Sequence, residues 1–558
     1  MTLQLSELIA DGASPMTDAD VLRYQSAGYW RGRSIRSVLS DVADHYPDRE
    51  ALVGYRSDGD VVRQTYREFD SSATHYASVL ASIGVSPGDA VAVMLPNWIE
   101  YASFIYGVNE LGGIYVGIPI AYGERQVEAI LSRSKAKVLV IPRRWRSGEH
   151  LSLARLLRDR LPNLEHVIVV DIDGADLVEG EHLWSDLLRA SPRTFDPVAS
   201  TAVCYLGFTS GTTGEPKGAM HTHESLLYSA DTLADHLGGH TFGDPLVQLV
   251  ASPTGHHTGF IWGVVFTVNM AGTGVHVDMW DPAWGVELIR REKVTTFFGA
   301  PTFLQDMMRT DLAGDPECPL RCVVVAGSSV PRTLPAQASR ALGAYIAPAW
   351  GMTECSIIVS CTPAADDTVL GTDGSVFSGS EVKVIDEHGN DLPPGHVGEL
   401  VVRGPALFAG YFDRPDATEK AFLDGGWFQT GDTASIDENG WVSLRGRLKD
   451  IIIRGGENIP VTEIETLLFD HPAVLNAAVV GLPDERLGER ACAVLVLKEG
   501  VSLDMQTLSA YLIDEGLSKH YLPERLAIVD QLPTTQSGKI QKFRLRETLT
   551  ETEPAATR

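Results

Sequence analysis

Short apolar strands alternate with amphipathic helices along residues 34–200, and this rhythm constrains the fold more than any other feature of the sequence. The segment SIRSVLSDVADHY places Ile35, Val38 and Leu39 on one helical face, and the runs DAVAVML, AKVLVIP and LEHVIVVD are typical of buried strands. Strands that alternate with helices predict parallel sheets covered on both faces. The fold class is therefore predicted to be α/β.

The pattern changes twice farther along the chain. From about residue 376, short alternating runs are broken by Gly, Asn and Pro, which is typical of an antiparallel, barrel-like segment. After RGRLKD, the remaining residues show a compact α+β pattern that opens with a predicted Thr462–Glu465 capping box. We predict a large N-terminal domain (1–448) of mixed, largely parallel sheets covered by helices plus a distorted β-barrel, and a small mobile α+β C-terminal domain (449–558).

Charge and cysteine usage exclude several classes of function. The net charge of -27 disfavours non-specific binding to nucleic acid, which needs broad basic surfaces. The six cysteines form no CxxC pair and are expected to be reduced thiols in the cytoplasm. The first residues lack the basic and apolar regions of a secretory signal, and no run of about 18 apolar residues predicts a membrane span.

The stretch GFTSGTTGEPKGAM at 207–220 has the composition of a phosphate-binding loop. Its glycines allow the backbone to approach an oxyanion closely, and its hydroxyl side chains and Lys217 add donors and positive charge. A Walker A loop would place the lysine directly after the last glycine of the motif, whereas here Lys217 precedes Gly218. The stretch therefore predicts phosphate binding without a P-loop fold.

This loop and five later motifs resemble those of the adenylate-forming superfamily, which contains acyl-CoA synthetases, adenylation domains of non-ribosomal peptide synthetases, and luciferases. The resemblance spans about residues 35–548. The later motifs, in chain order, are AWGMTE (349–354), GELVVRGPALFAGYFDRPDATEKAF (398–422), WFQTGD (427–432), GRLKDIIIRGGENIPVTEIE (446–465) and LPTTQSGKIQKFRLR (532–546).

The resemblance implies an ATP site with Mg²⁺ on Glu354. It implies phosphate contacts from the loop, an adenine site in which Trp350 replaces the usual tyrosine, and ribose contacts from Asp432 and Arg447. The residues implied for the phosphates are Thr209, Ser210, Gly211, Thr212, Thr213, Gly214, Lys217 and Thr353. Those implied around adenine are Gly327, Ser328, Ser329, Trp350, Gly351 and Met352.

Two half-reactions are implied by the same resemblance. Lys539 would neutralise charge while a carboxylate attacks the α-phosphate, a step that needs alignment of two anions and no general base. The C-terminal domain would then rotate about Lys449 and bring Gly455 and Gly456 to the site, where a thiol arm could pass closely.

The residues near the acyl site indicate the class of acid. His256 matches the position beside the acyl carboxylate, where it would orient the acid or gate the pocket. No acidic residue lies between Thr254 and Val277, so a buried α-ammonium would lack a partner and an amino acid is disfavoured. We therefore expect a hydrophobic carboxylic acid. The candidate pocket residues are His256, Thr258, Phe260, Trp262, Phe298, Phe303, Val330, Met352 and Ile357.

Free coenzyme A is the favoured acceptor, because no carrier domain is expected after residue 558, and a homodimer is expected by analogy. Three alternatives stay open at this point. The chain could load a separate acyl carrier protein, could form only the thioester from a supplied acyl-adenylate, or could bind nucleotide without turnover. The favoured function is that of an AMP-forming acyl-CoA synthetase that uses ATP, Mg²⁺ and coenzyme A.

Overall fold

A computed structural model describes residues 2–552 except 58, 171–176, 211–214, 329, 365–366, 455–456, 485 and 536–537. Two large sheets form the centre of the N-terminal part, and most of their strand pairs are parallel. This confirms the predicted α/β class. In the seven-stranded sheet, the strands in spatial order are Glu181–Leu183, His166–Val169, Val138–Ile141, Ala90–Val93, Ile114–Gly117, Val203–Ser210 and Pro216–Thr222.

The nine-stranded sheet supplies one edge of the site described below. Its middle strands are parallel, and antiparallel strands form both of its edges. In spatial order the strands are Ser375–Val376, Ser356–Ser360, Tyr345–Met352, Cys322–Val325, Thr296–Gly299, Val247–Val250, Thr273–Val277, Glu50–Tyr55 and Val61–Thr65.

Helices cover these sheets because the apolar faces of a sheet must be buried against a second layer. The α-helices of this part are Leu5–Ala10, Asp18–Ser26, Ile35–His45, Tyr66–Ser82, Ile99–Glu110, Glu124–Ser134, His150–Arg160, Trp184–Leu187, His223–Leu237, Phe266–Asn269, Pro282–Arg291, Pro301–Met308, Leu334–Leu342, Asp367–Leu370 and Pro415–Ala421. Gly239–Phe242 is a 3₁₀ helix and Gly259–Val265 is a π-helix. None of the helices within the described ranges has both the length and the apolar character needed to cross a bilayer.

A third, antiparallel sheet corresponds to the barrel-like segment of the sequence. The strand Trp427–Ile436 lies at its centre and pairs with three neighbours, and this sheet carries the WFQTGD motif toward the site. Its strands are Glu381–Ile385, Gly398–Arg403, Phe422–Leu423, Trp427–Ile436 and Val442–Arg447.

The C-terminal residues build a separate sheet with helices on both faces. Helices Val461–Asp470 and Met505–Asp514 pack on one apolar core, and Lys542–Thr552 packs on the other. The 3₁₀ helices Leu448–Asp450 and Lys519–Tyr521 complete this part. The strands are Ile452–Arg454, Glu457–Ile459, Val474–Asp484, Gly488–Leu497 and Arg525–Ile528.

The predicted Thr462–Glu465 capping box is wrong. The helix begins at Val461 after Pro460, so both residues lie inside it. The Thr462 hydroxyl donates to the Arg445 carbonyl at 2.9 Å. The buried Glu465 carboxylate accepts from the Val479 N–H at 2.8 Å and pairs with Lys542. Tertiary partners have therefore replaced the local contacts that the spacing suggested.

Several histidines are buried in the neutral form. His276 is fully buried on its strand, and neither ring nitrogen has a hydrogen-bond partner among the described residues. Burial lowers the pKa of His276 to about 4, and it also lowers the pKa of His221 to about 4 and that of His223 to about 3. These side chains resist protonation only while the chain is folded.

We expect His276→Leu to weaken the acid sensitivity of the fold. Below pH 6.5 the unfolded chain binds protons on these histidines that the folded chain excludes, so stability falls as the pH falls toward 4. Between pH 7 and pH 5 each such histidine should contribute about 2 kcal/mol to this loss. Urea unfolding at both pH values should show a smaller loss for His276→Leu than for the wild type, and an unchanged loss for the exposed control His388→Gln. An equal loss in wild type and His276→Leu would contradict the account.

Candidate active site

The carboxyl ends of four adjacent parallel strands carry residues of the predicted site. These strands are Val247–Val250, Thr296–Gly299, Cys322–Val325 and Tyr345–Met352. The segments that follow them contain His256, Phe303, Gly327 and Glu354, respectively. Ligands of open parallel sheets bind outside this edge, so the topology gathers residues that are about 100 positions apart in the sequence.

The described residues of the phosphate-loop motif lie on the two strands of an antiparallel hairpin. Strands Val203–Ser210 and Pro216–Thr222 pair so that Thr209 lies opposite Lys217. Gly207 is required at the base of this hairpin, because a Cβ there would lie 2.5 Å from the Thr353 Cγ2 atom. The backbone of Ser210 ends the first strand, and Gly211, Thr212, Thr213 and Gly214 lie outside the described residues.

Glu354 is a buried carboxylate beside this hairpin. Its Oε1 atom accepts a hydrogen bond from the Tyr411 hydroxyl at 2.9 Å and another from the Thr209 hydroxyl at 3.4 Å. Its Oε2 atom is buried and has no hydrogen-bond partner among the described residues. Burial raises the pKa of Glu354, and the Tyr411 hydrogen bond opposes this effect. A buried carboxylate oxygen without a donor is suited to accept a cation.

Tyr411 connects Glu354 to the phosphate-loop lysine. While its hydroxyl donates to Glu354, its ring lies 4.8 Å from the Lys217 Nζ atom, within the range of a cation–π interaction. Tyr411 lies in the motif GELVVRGPALFAGYFDRPDATEKAF (398–422), in which no site residue is predicted from the sequence. In the sequence Tyr411 stands between a glycine and a phenylalanine, and no local feature distinguishes it from an ordinary core tyrosine.

Asp432 and Arg447 are direct cross-strand partners. They lie opposite each other on the strands Trp427–Ile436 and Val442–Arg447, and the Arg447 Nε atom is 3.1 Å from the Asp432 Oδ1 atom. The Trp350 indole N–H donates to the other oxygen, Oδ2, at 2.9 Å. The charge of Arg447 also lowers the pKa of Glu354, so this group and the Glu354 group lie close together.

His256 is half-buried and lies within electrostatic range of Lys539. Burial, and to a smaller extent the positive charge of Lys539, lower the pKa of His256 to about 4. The Thr258 N–H donates to its Nδ1 atom at 3.4 Å. His257 is buried behind it, with its Nε2 atom 3.1 Å from the Ser356 hydroxyl. His256 is therefore neutral at pH 7 and lies next to a cation.

The loop that carries Lys539 contacts the nine-stranded sheet edge. Gly538 has a φ of +80°, and a Cβ at this position would lie 2.2 Å from the Thr302 hydroxyl oxygen. The Thr535 N–H donates to the Lys539 carbonyl at 2.8 Å and closes the turn. A second contact joins the two parts where the Thr333 hydroxyl donates to Asp470 at 2.5 Å.

The other predicted site residues lie around these groups. Gly327 has a φ of +90° just after its strand, and Ser328 follows it, half-buried. Gly351, Met352 and Thr353 are half-buried between Trp350 and Glu354. Lys449 lies within the 3₁₀ helix Leu448–Asp450. The predictions for Ser329, Gly455 and Gly456 fall outside the described residues.

The aromatic residues predicted for the acyl pocket are buried and pack against other aromatic rings. The rings of Trp262 and Phe298 stack with centroids 5.7 Å apart, and Phe260 contacts Tyr205 with centroids 4.3 Å apart. Phe260 and Trp262 lie in the π-helix Gly259–Val265, and π-helical turns occur frequently at functional sites. Val330 and Ile357 are also buried.

A family model described as AMP-binding enzyme matches residues 39–412, and the model of its C-terminal domain matches 463–539. The chain belongs to the AMP-binding enzyme family. Membership confirms the resemblance inferred from the motifs and the expectation of an enzyme of the AMP-forming acid–thiol ligase class.

Relatives of this AMP-binding enzyme match it over nearly its whole length. The medium-chain fatty-acid–CoA ligase of Escherichia coli (strain K12) is 32% identical over 94% of this chain and 92% of its own. The 2-hydroxy-7-methoxy-5-methyl-1-naphthoate–CoA ligase of Streptomyces carzinostaticus is 32% identical over 96% of each chain. The crystal structure of the anthranilate CoA ligase AuaEII in complex with anthranoyl-AMP has a TM-score of 0.84 and 25% identity, covering 93% of this chain and 98% of its own.

We expect Gly255→Ala to destabilise this AMP-binding enzyme at the turn that carries His256. A Cβ at Gly255 would lie 2.4 Å from the Ile118 carbonyl oxygen, and backbone atoms cannot move aside as a side chain can. Overpacking of this kind costs about 1–3 kcal/mol of unfolding free energy. Gly239→Ala is the matched control, since its Cβ would meet only the Met270 methyl at an ordinary 3.6 Å. Equal stability of the two variants in urea unfolding would show that the turn accommodates a methyl group.

Proposed function

We propose that this enzyme is an acyl-CoA synthetase. It activates a hydrophobic carboxylic acid with ATP to acyl-AMP and pyrophosphate, and then transfers the acyl group to the thiol of coenzyme A. The observation that carries the proposal is the placement of Lys539, whose loop contacts Thr302 and whose charge acts on His256 at the edge that also holds Glu354. A cation beside the expected carboxylate and phosphate positions fits the joining of two anions.

The triphosphate would lie along the hairpin and its loop. Lys217, opposite Thr209, offers a positive charge that the Tyr411 ring holds near the Glu354 carboxylate. This arrangement supports binding of the β- and γ-phosphates, which leave as pyrophosphate, away from the α-phosphorus that the acid attacks. Neutralising pyrophosphate makes it a better leaving group, which is electrostatic stabilisation of the transition state.

The Oε2 atom of Glu354, which has no hydrogen-bond partner among the described residues, fits a Mg²⁺ ion. Mg²⁺ is usually held by one or two protein carboxylates together with substrate phosphates and water. Among the described residues no cluster of three or more His, Cys, Asp or Glu forms a complete metal cage, which agrees with such an open site. A bound Mg²⁺ would neutralise phosphate charge, while Tyr411 and Thr209 keep the Oε1 atom engaged and direct Oε2 to the ion.

The attacking acid needs orientation more than activation, because a carboxylate is already ionised at pH 7. Neutral His256 can orient it, and Lys539 can contact both the carboxylate and the α-phosphate as a point charge. Asp432 would hold the ribose, since an ionised carboxylate is a pure acceptor for hydroxyl groups. The apolar and aromatic residues around Phe260 and Trp262 favour a hydrophobic acid.

The relatives support both aliphatic and aromatic acids, so the acid is best identified directly. Medium-chain fatty acids, salicylate-like and naphthoate-like acids should be incubated with ATP, Mg²⁺ and coenzyme A, and the products identified by mass spectrometry. We expect acyl-CoA and AMP from at least one hydrophobic acid. Three results would each contradict the proposal. They are acyl transfer only to a holo-carrier protein, thioester formation only from supplied acyl-AMP, and nucleotide binding without product.

A cytoplasmic location and a homodimer remain expectations from the cysteines and from analogy.

Lys539→Ala should abolish acyl-AMP formation and spare thioester formation from supplied acyl-AMP. Its ammonium is needed only while two anions meet, and the rotated domain would remove it from the site before the thiol attacks. ATP–pyrophosphate exchange measures the first step, and coenzyme A consumption with synthetic acyl-AMP measures the second. The exposed Lys519→Ala is the control in the same domain. Equal loss of both steps in Lys539→Ala would remove it from the proposed role.

Lys449→Pro should impair thioester formation more than acyl-AMP formation. Lys449 lies in a 3₁₀ helix, whose φ of about -50° to -70° proline can adopt, but proline prevents the φ change that a hinge needs. Lys449→Ala keeps the N–H and the free φ and is the matched control. The two half-reactions should be measured separately for each variant. An unchanged rate of both steps in Lys449→Pro would place the hinge elsewhere.

A further inference from the structure

The hydrogen bond between Trp350 and Asp432 is a contact in the site that the resemblance does not assign. The indole N–H donates to the Asp432 Oδ2 atom at 2.9 Å, and both residues are more than nine-tenths buried. A hydrogen bond to an ionised acceptor is about twice as strong as one between neutral groups. The resemblance treats Trp350 only as a flat surface for adenine, in which the hydroxyl of the usual tyrosine is missing. The structure shows that the Trp350 indole N–H is also a hydrogen-bond donor, which a phenyl ring would not provide.

The backbone around Trp350 keeps the indole in this position. The pairing register shifts between Trp350 and Gly351, because Ile358 is an extra residue on the neighbouring strand Ser356–Ser360, and Trp350 pairs with Val359 of that strand. A Cβ at Gly351 would lie 2.0 Å from the Ser356 carbonyl oxygen, so the neighbouring strand lies directly against this position. β-Bulges often redirect a side chain next to an active site.

The two oxygens of Asp432 have different surroundings. Trp350 occupies Oδ2, whereas Oδ1 is buried and accepts no hydrogen bond from any described residue, although the Arg447 Nε atom is 3.1 Å away as an ion pair. The carboxylate therefore has one oxygen held by the protein and one that lacks a donor. A ribose hydroxyl would supply the missing donor.

We propose that Trp350 is a positioning residue that sets sugar specificity, because its indole N–H fixes the Asp432 carboxylate with one oxygen directed toward the ribose hydroxyls of ATP. This inference rests on the proposed ATP site. Without the indole donor, the carboxylate can rotate and turn toward Arg447, and the ribose hydroxyls lose an aligned acceptor. The loss should therefore concern the sugar more than the base or the phosphates.

Trp350→Phe tests this role, since it keeps an aromatic face for adenine and removes only the donor and part of the ring. The dissociation constants of ATP, 2′-deoxy-ATP and 3′-deoxy-ATP are measured by calorimetry in the presence of Mg²⁺, and kcat/KM is measured with the same nucleotides. The wild type should prefer ATP over at least one deoxynucleotide by about 10- to 100-fold, the worth of one hydrogen bond to a charged group. In Trp350→Phe that preference should fall by about tenfold or more.

Trp280→Phe is the matched control. Its indole N–H also donates to a carboxylate, that of Asp306 at 3.1 Å, in a contact that involves no residue of the site. This variant should keep the wild-type preference for ATP. If Trp350→Phe does not fold, Trp350→Tyr is measured in the same way, because it restores the residue usual at this position.

Two results separate the inference from the proposed function. Weaker binding of all three nucleotides by the same factor in Trp350→Phe, with the preference for ATP unchanged, would overturn the inference and leave Trp350 as an adenine surface alone. A wild type that binds none of the three nucleotides would instead contradict the proposed function. Loss of the preference in Trp350→Phe, with retention in Trp280→Phe, supports the inference.

Discussion

The buried carboxylate of Glu354 is the constraint on which the rest of the site depends. A charge removed from water is costly unless other groups compensate for it, and here the compensation is only partial. Tyr411 and Thr209 satisfy one oxygen, while the other has no donor among the described residues. Burial accordingly raises the pKa of this group. The arrangement makes sense if the site is completed by a ligand that brings positive charge.

The neighbouring groups Asp432 and His256 are also incompletely paired within the protein. Asp432 has a protein donor on one oxygen and only an ion-pair contact on the other. His256 is neutral and faces the charge of Lys539. Together they suit a ligand with metal-bound phosphates, a ribose and a carboxylate.

Much of the fold was predictable from the sequence, because its strands and helices have strong and distinct periodicities. The strand expected in AKVLVIP is found at Val138–Ile141, and the helix expected in SIRSVLSDVADHY is found at Ile35–His45. The capping box failed because tertiary partners outcompeted a local pattern at Thr462. The resemblance implied Asp432, but the indole that holds it is 82 residues away, a distance at which periodicity carries no information. Tyr411 was missed for the same reason.

The central claim is that the acid attacks the α-phosphate of ATP at this site. It is tested most directly by incubating an accepted acid, labelled with ¹⁸O in its carboxylate, with ATP and coenzyme A, followed by mass spectrometry of the nucleotide products. An acyl-AMP intermediate requires one labelled oxygen to remain on AMP after the thiol attacks the carbonyl. The account predicts AMP that carries ¹⁸O and unlabelled pyrophosphate. Formation of ADP with the label in inorganic phosphate, or of AMP without label, would contradict it.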